Sequence, residues 1–235
     1  MFPVIPSESV YMRPPIANQP ILNIPSPVGS LIGFTILVHV ALTFLSGGAA
    51  RLIINKLIFY PAWVMSDGAF SSDPIAFLLA PIGYVLLHAD WMHLLMNMAW
   101  LLAFGSAVAR RMSPGWFLGF YGVGALAGSM TMLLIHGSNG APIIGASAAI
   151  AAVSGALVSI SLWPQPDRPP PPRPFHLRST ALAFVLIYLV MNIAFGVIPP
   201  EVMNTPGRVA WEAHLGGFAV GILIMPYFDG RGKYR

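Results

Sequence analysis

Several stretches of this chain run about 17 to 21 residues almost without charge, the length a helix needs to cross a bilayer core. Lipid offers the backbone no hydrogen-bonding partner, so such stretches must satisfy themselves as helices. Six spans are expected, at about 28–45, 91–108, 116–135, 143–163, 180–198 and 209–225. Only 9% of the 235 residues are charged, against about 25% in a soluble domain. A water-soluble fold is excluded. The fold class is all-α and polytopic, a six-helix transmembrane bundle in the lipid bilayer. Cysteine is absent, which excludes a disulfide framework, a thiolate metal site and a cysteine nucleophile.

The spans delimit the rest. Residues 1–27 contain many prolines and lack the basic start and apolar stretch of a secretory signal, so a short tail is expected there. Residues 28–228 form the membrane domain, and 229–235 a basic tail. The connection 46–90 holds apolar runs at 52–60 and 75–87, but Pro61 and Pro81 interrupt them and Arg51, Lys56, Asp67 and Asp73 punctuate them. Runs of that length lie in the interface or re-enter more often than they span. The segment 164–178 carries the run Pro169–Pro172 and reads as a stiff polyproline linker.

Six spans place both termini on one side. Arg13, Arg110, Arg111, Arg168, Arg173, Arg178, Arg231, Lys233 and Arg235 then share it, leaving Arg51, Lys56 and Arg208 opposite. This is nine of the twelve basic residues, and the positive-inside rule puts that side in the cytoplasm of a cell (inner) membrane. The net charge of +4 is thus a matter of topology and points to no nucleic acid partner.

Polar groups inside spans are costly and usually functional. His93 and Asn97 in the second span, Ser147 in the fourth and His214 in the sixth all lie within about two turns of the outer surface, at a shared depth of roughly 5–10 Å. A polar cavity opening outward is expected. Ser147, Ala151, Ser154, Gly155 and Val158 fall on one face of their helix. His214, Gly217, Phe218 and Gly221 fall on one face of theirs, with Gly217 and Gly221 as a GxxxG packing pair. If these faces meet, the Ser147 hydroxyl reaches the His214 imidazole, the minimum for nucleophilic catalysis. Glu212 lies on the wrong face to complete a triad, so a dyad is expected. An oxyanion needs donors, and His93, Asn97 and the Ser147 backbone N–H can supply them. His88 is off that face, near the water boundary, and is a candidate for lining the site. His39, His136 and His176 are scattered and make no metal site.

The segment His88-Ala-Asp-Trp-Met-His93-Leu-Leu-Met-Asn97 resembles the second-span motif of the rhomboid family. Ile144-Gly145-Ala146-Ser147-Ala148 resembles its Gly-x-Ser-Gly nucleophile motif, and Ala213-His214-Leu215-Gly216-Gly217 its Ala-His-x-Gly-Gly motif. The three stand in family order over about residues 28–228. The resemblance implies a rhomboid-like bundle with Ser147 as nucleophile, His214 as general base, and His93 and Asn97 at the oxyanion. Gly145 lines the site, and no metal or organic cofactor is implied. The implied substrates are single-pass membrane proteins, cut near the outer surface. Three departures stand out: Ala148 for the usual glycine, Leu79-Ala80-Pro81 where a Trp-Arg pair is common, and Ala109 where many members have Glu. A catalytically silent relative that binds membrane clients is the alternative, supported by Ala148. A small transporter is disfavoured, because the spans show no repeated half with broken helices.

The basic asymmetry gives a test. Reporter fusions after Arg111, within the proline linker and at Arg235 should report cytoplasm, and fusions near Asp67 and Gly137 the opposite side. A cytoplasmic signal at Asp67 would overturn the shared-depth argument.

Overall fold

The structure is a computed structural model that describes residues 23–162, scattered helical positions between 183 and 196, and residues 209–231. Residues 1–22 of the expected tail, the linker 164–178 and the end of the basic tail lie outside the described residues, as do His176 and Arg208. Among the described residues the regular elements are helical, with one isolated antiparallel bridge between Phe59 and Ile143.

The first span, α1 (Ser26–Phe44), starts with Pro27 in its first turn, where a missing N–H costs nothing. The connection that follows is mostly helical: α2 (Gly47–Leu57), the single turns α3 (Pro61–Val64) and α4 (Ala69–Ser72), then α5 (Pro74–Gly83), extended by a 3-10 turn to Leu86. Asp73 caps α5, its carboxylate accepting from Ala76 N–H at 3.0 Å, and also pairs with Lys56 at the end of α2. That pairing holds the Asp73 carboxyl below its ordinary range. At 11 and 10 residues, α2 and α5 are too short to cross a bilayer and pack on one another instead.

Helix α6 (Trp91–Ala109) is capped by Asp90, whose side chain accepts from His93 N–H at 2.8 Å. It contains a π-helical turn at Leu101–Gly105. Helix α7 (Pro114–His136) opens on a proline and ends at Gly137, where φ is +55°. Helices α8 (Ser147–Leu162) and α9 (Trp211–Phe228) complete the labelled set. Among the described residues, α1, α6 and α7 are each long and apolar enough to cross a membrane. Large apolar side chains such as Phe34, Leu37, Leu134 and Leu223 point outward, more apolar surface than a water-soluble protein leaves bare. The chain is a multi-pass membrane protein.

Helix α8 is the axis. Every residue from Ala148 to Ala156 is buried. Its contact with α9 is backbone to backbone: a Cβ placed on Gly217 would strike Ala148 O, one on Gly221 would strike Ala152 O, and one on Gly155 would strike Phe218 O. The stripe under these glycines is therefore Ala148, Ala152 and Gly155. Beside that stripe, Ala151 and Val158 pack with Phe218 of α9 and with Tyr188, so the face expected from the sequence borders the glycine contact.

Two boundaries also differ from expectation. Residues 143–146 are not helical, because Ile143 pairs with Phe59 and Gly145 has φ of +111°. The last span continues past 225 to Phe228, through Pro226. Beyond it, Asp229 takes the Arg111 guanidinium in a two-pronged pair, 2.9 Å to Nε and 2.5 Å to Nη2. Gly230 N–H donates to Arg111 O at 2.8 Å and Ser113 N–H to Arg231 O at 2.9 Å, tying α9 to the α6–α7 corner.

Gly221→Ala should cost about 1–3 kcal/mol, the usual penalty of overpacking, read as a lowered melting temperature in detergent. Gly119→Ala, where a Cβ meets nothing within 4 Å, should melt like the parent. Equal melting of the two variants would refute the close α8–α9 contact.

Candidate active site

Ser147 is the first residue of α8, and the chain before it is held by three backbone hydrogen bonds. Ile143 N–H donates to Phe59 O at 2.9 Å, Phe59 N–H returns a 3.4 Å bond to Ile143 O, and Gly145 N–H donates to Tyr84 O at 3.0 Å. Tyr84 is buried, and its hydroxyl donates to Ala125 O of α7 at 2.8 Å. The connection between the first two spans thus fixes where the serine emerges. Gly145 is needed twice over: its φ lies in the left-handed region, and a Cβ there would sit 2.8 Å from His93 Cε1 and Nε2.

His214 lies in the first turn of α9, beside the start of α8. Its Nε2 stands 2.7 Å from Ser147 Oγ, inside the range expected of a nucleophile and its base. The other ring nitrogen, Nδ1, stands 2.7 Å from Asn192 Oδ1. Asn192 is buried, and its Nδ2 donates to Tyr188 O, one helical turn earlier, at 2.8 Å.

The remaining site candidates fall into two groups. The His93 imidazole lies across Gly145, beside Ser147. Asn97 is buried one turn further in, with Nδ2 donating to His93 O at 2.9 Å; an amide nitrogen has a second N–H to give. His88 lies beside His93 and the turn before Ser147. Its ring centroid is 5.0 Å from that of His93, and its Nε2 accepts a long 3.5 Å contact from Ala146 N–H. Burial, reinforced by His93, pushes its pKa down to about 3, so it is neutral at physiological pH. Gly217 and Gly221 serve packing, as their contacts with α8 require. The Ala148 methyl rests over Gly128 of α7, where a second Cβ would come within 2.6 Å.

No hydrogen bond joins Glu212 to His214 among the described residues. Glu212 is buried, and one of its carboxylate oxygens lies 2.8 Å from His136 Nε2, so a histidine that looks isolated in the sequence clamps the end of α7 to the start of α9. His39 packs edge-on against Trp91 at 4.7 Å. Asn192 was not foreseen. The third group of a triad is expected to be a carboxylate, and an asparagine 22 residues before His214 carries no motif; its presence inside a span is the available signal.

The rhomboid-domain family model matches residues 78–230, which contain His88, His93, Asn97, Ser147, Asn192 and His214. The chain belongs to the rhomboid family. It is 26% identical over 145 residues to RHOMBOID-like protein 5 of Arabidopsis thaliana, covering 61% of this chain and 41% of that protein. It is 29% identical over 168 residues to RHOMBOID-like protein 12, mitochondrial, of the same plant, covering 63% of this chain and 45% of that one. The chain thus spans less than half the length of either relative. The rhomboid match begins within α5 and takes in the Tyr84 pin as well as both dyad residues.

The glycine before the serine gives a measurable consequence. Gly145→Ala should lose about 1–3 kcal/mol from the left-handed backbone alone, and should displace the His93 ring. A melting temperature equal to that of the parent would mean that the 143–146 turn is not held as described.

Proposed function

We propose that this rhomboid is an intramembrane serine endopeptidase acting through Ser147 and His214. The observation that carries the reading is the 2.7 Å approach of His214 Nε2 to Ser147 Oγ at the shared outer ends of two membrane helices. Ser154, buried in the same helix, bonds back along that helix to Ile150 O. Ser147 instead meets an imidazole.

In the proposed reaction Oγ attacks a substrate carbonyl carbon while its proton passes to His214 Nε2. The developing oxyanion is met by the Ser147 N–H, one of the unpaired donors at the start of α8, with the His93 ring and the free Asn97 N–H converging from α6. His214 then returns the proton to the leaving amine, and water releases the acyl group by the reverse sequence.

The proposed substrates are single-pass membrane proteins. A carbonyl engaged within a stable helix is closed to attack, so cleavage requires local unwinding, favoured by Gly, Pro or Ser near the outer end of the span. Both termini of the enzyme are proposed to be cytoplasmic, in a cell (inner) membrane, with the dyad near the opposite surface. The competing idea of a silent client-binding relative draws on Ala148, but that methyl faces Gly128 rather than the serine hydroxyl.

Purified protein in detergent should be labelled once by a fluorophosphonate, at Ser147, because an isolated membrane serine is too weak a nucleophile to react. His214→Ala should nearly abolish labelling. Asn97→Ala should slow cleavage of a model substrate by up to about 10²–10³-fold, the value of one oxyanion donor. A folded protein that neither labels nor cleaves any helix-destabilised model substrate would replace the protease by the client-binding reading.

A further inference from the structure

We infer that Asn192 is the positioning residue that sets the tautomer of His214, turning the dyad into a hydrogen-bonded chain that runs from Ser147 to the Tyr188 backbone. The inference depends on the protease reading for its kinetic consequence only.

The argument is one of donors and acceptors. The Asn192 atom 2.8 Å from Tyr188 O faces a carbonyl oxygen, which only accepts. It must therefore be the amide nitrogen. The amide cannot be flipped without setting two acceptors against each other, so Oδ1 is the atom facing His214 Nδ1 at 2.7 Å. An amide oxygen also only accepts, so Nδ1 must carry the hydrogen. A neutral imidazole has one N–H; with it on Nδ1, the lone pair of Nε2 is directed at Ser147 Oγ, 2.7 Å away. The serine hydroxyl then has one good acceptor and donates to it. Each bond fixes the next, and the orientation originates in a backbone carbonyl that does not titrate.

Packing holds the far end of this chain. Asn192 is buried, and the Tyr188 ring stacks on Phe218 of α9 with centroids 4.5 Å apart and planes within 16°. Phe218 is one helical turn beyond His214, so α9 is braced against the 183–196 segment both at the imidazole and one turn below it. During attack the Oγ proton moves to Nε2 and the ring becomes a cation with both nitrogens protonated. The Nδ1 hydrogen stays on the ring, bonded to Oδ1, and no proton passes to Asn192. A residue that orients without exchanging protons should change turnover and leave substrate affinity alone.

The test uses the full chain in lipid nanodiscs, with nitrogen-15 histidine resonances assigned through His214→Gln. Wild-type His214 should show a protonated Nδ1 and a bare Nε2. Asn192→Ala and the better-filling Asn192→Leu should lose that preference, and their rate of fluorophosphonate labelling at Ser147 should fall about ten- to hundredfold. That loss is the lower part of what a positioned base contributes. KM for a cleaved model substrate should stay unchanged. A wild-type His214 with its hydrogen on Nε2 overturns the inference, and this measurement decides even if both variants fail to fold. Folded variants labelling at the wild-type rate overturn it equally. A wild-type protein with the expected tautomer but no labelling would sink the protease reading while leaving the Asn192 contact established.

Discussion

The dyad distance depends on how closely two helices can approach. In lipid there is little hydrophobic force between helices, so van der Waals contact between small residues must hold them. Here Gly217, Gly221 and Gly155 leave no room for a side chain between α8 and α9. Ser147 and His214 sit at the starts of those two helices. A serine hydroxyl and an imidazole have short reach, and a helix pair separated by even one extra methyl layer would leave them apart. The glycines thus set the Ser147–His214 contact without touching it. The same economy explains Ala148: its methyl is accepted because α7 presents Gly128 at that point.

A second constraint acts along the helix axis. Close packing fixes the spacing of α8 and α9 but not where Ser147 emerges. The connection between the first two spans sets that, through Phe59 on Ile143 and Tyr84 on Gly145, with Tyr84 anchored to α7 by its hydroxyl. At the other end of the bundle, the Arg111–Asp229 pair and the neighbouring backbone bonds tie α9 to the α6–α7 corner. A sliding motion of α9 past α8 would have to break both the glycine contacts and this clasp. The geometry of the site is therefore held from two ends, with Ser147 and His214 beside the first.

What could be read from the sequence followed from cost. Ser147, His214, His93 and Asn97 stood out because polar groups within spans need a reason, and their shared depth followed from counting residues. Motif order added the family. The turn 143–146 was misread as helix because its apolar character matches the span that follows; only the positive φ of Gly145 and the partner strand at Phe59, 84 residues away in sequence, decide it. His136 and Glu212 looked unrelated because neither helical spacing nor proximity in sequence connects them.

Asn192 was invisible for a more instructive reason: the third group was sought as a carboxylate, by analogy with soluble triads. Within a bilayer that choice carries a penalty. A carboxylate in the middle of a span costs about 2.5–3.5 kcal/mol on insertion, and it remains costly when the imidazole opposite it is neutral. The buried carboxylate near this site among the described residues, Glu212, lies in the first turn of α9 and is paired with His136. An amide accepts from Nδ1 with no net charge to desolvate, and its own N–H is satisfied one turn back along its helix. It stabilises the imidazolium less than a carboxylate would, so the gain lies in orientation rather than in charge. For a membrane-embedded base, an asparagine offers the direction of a triad without burying an anion.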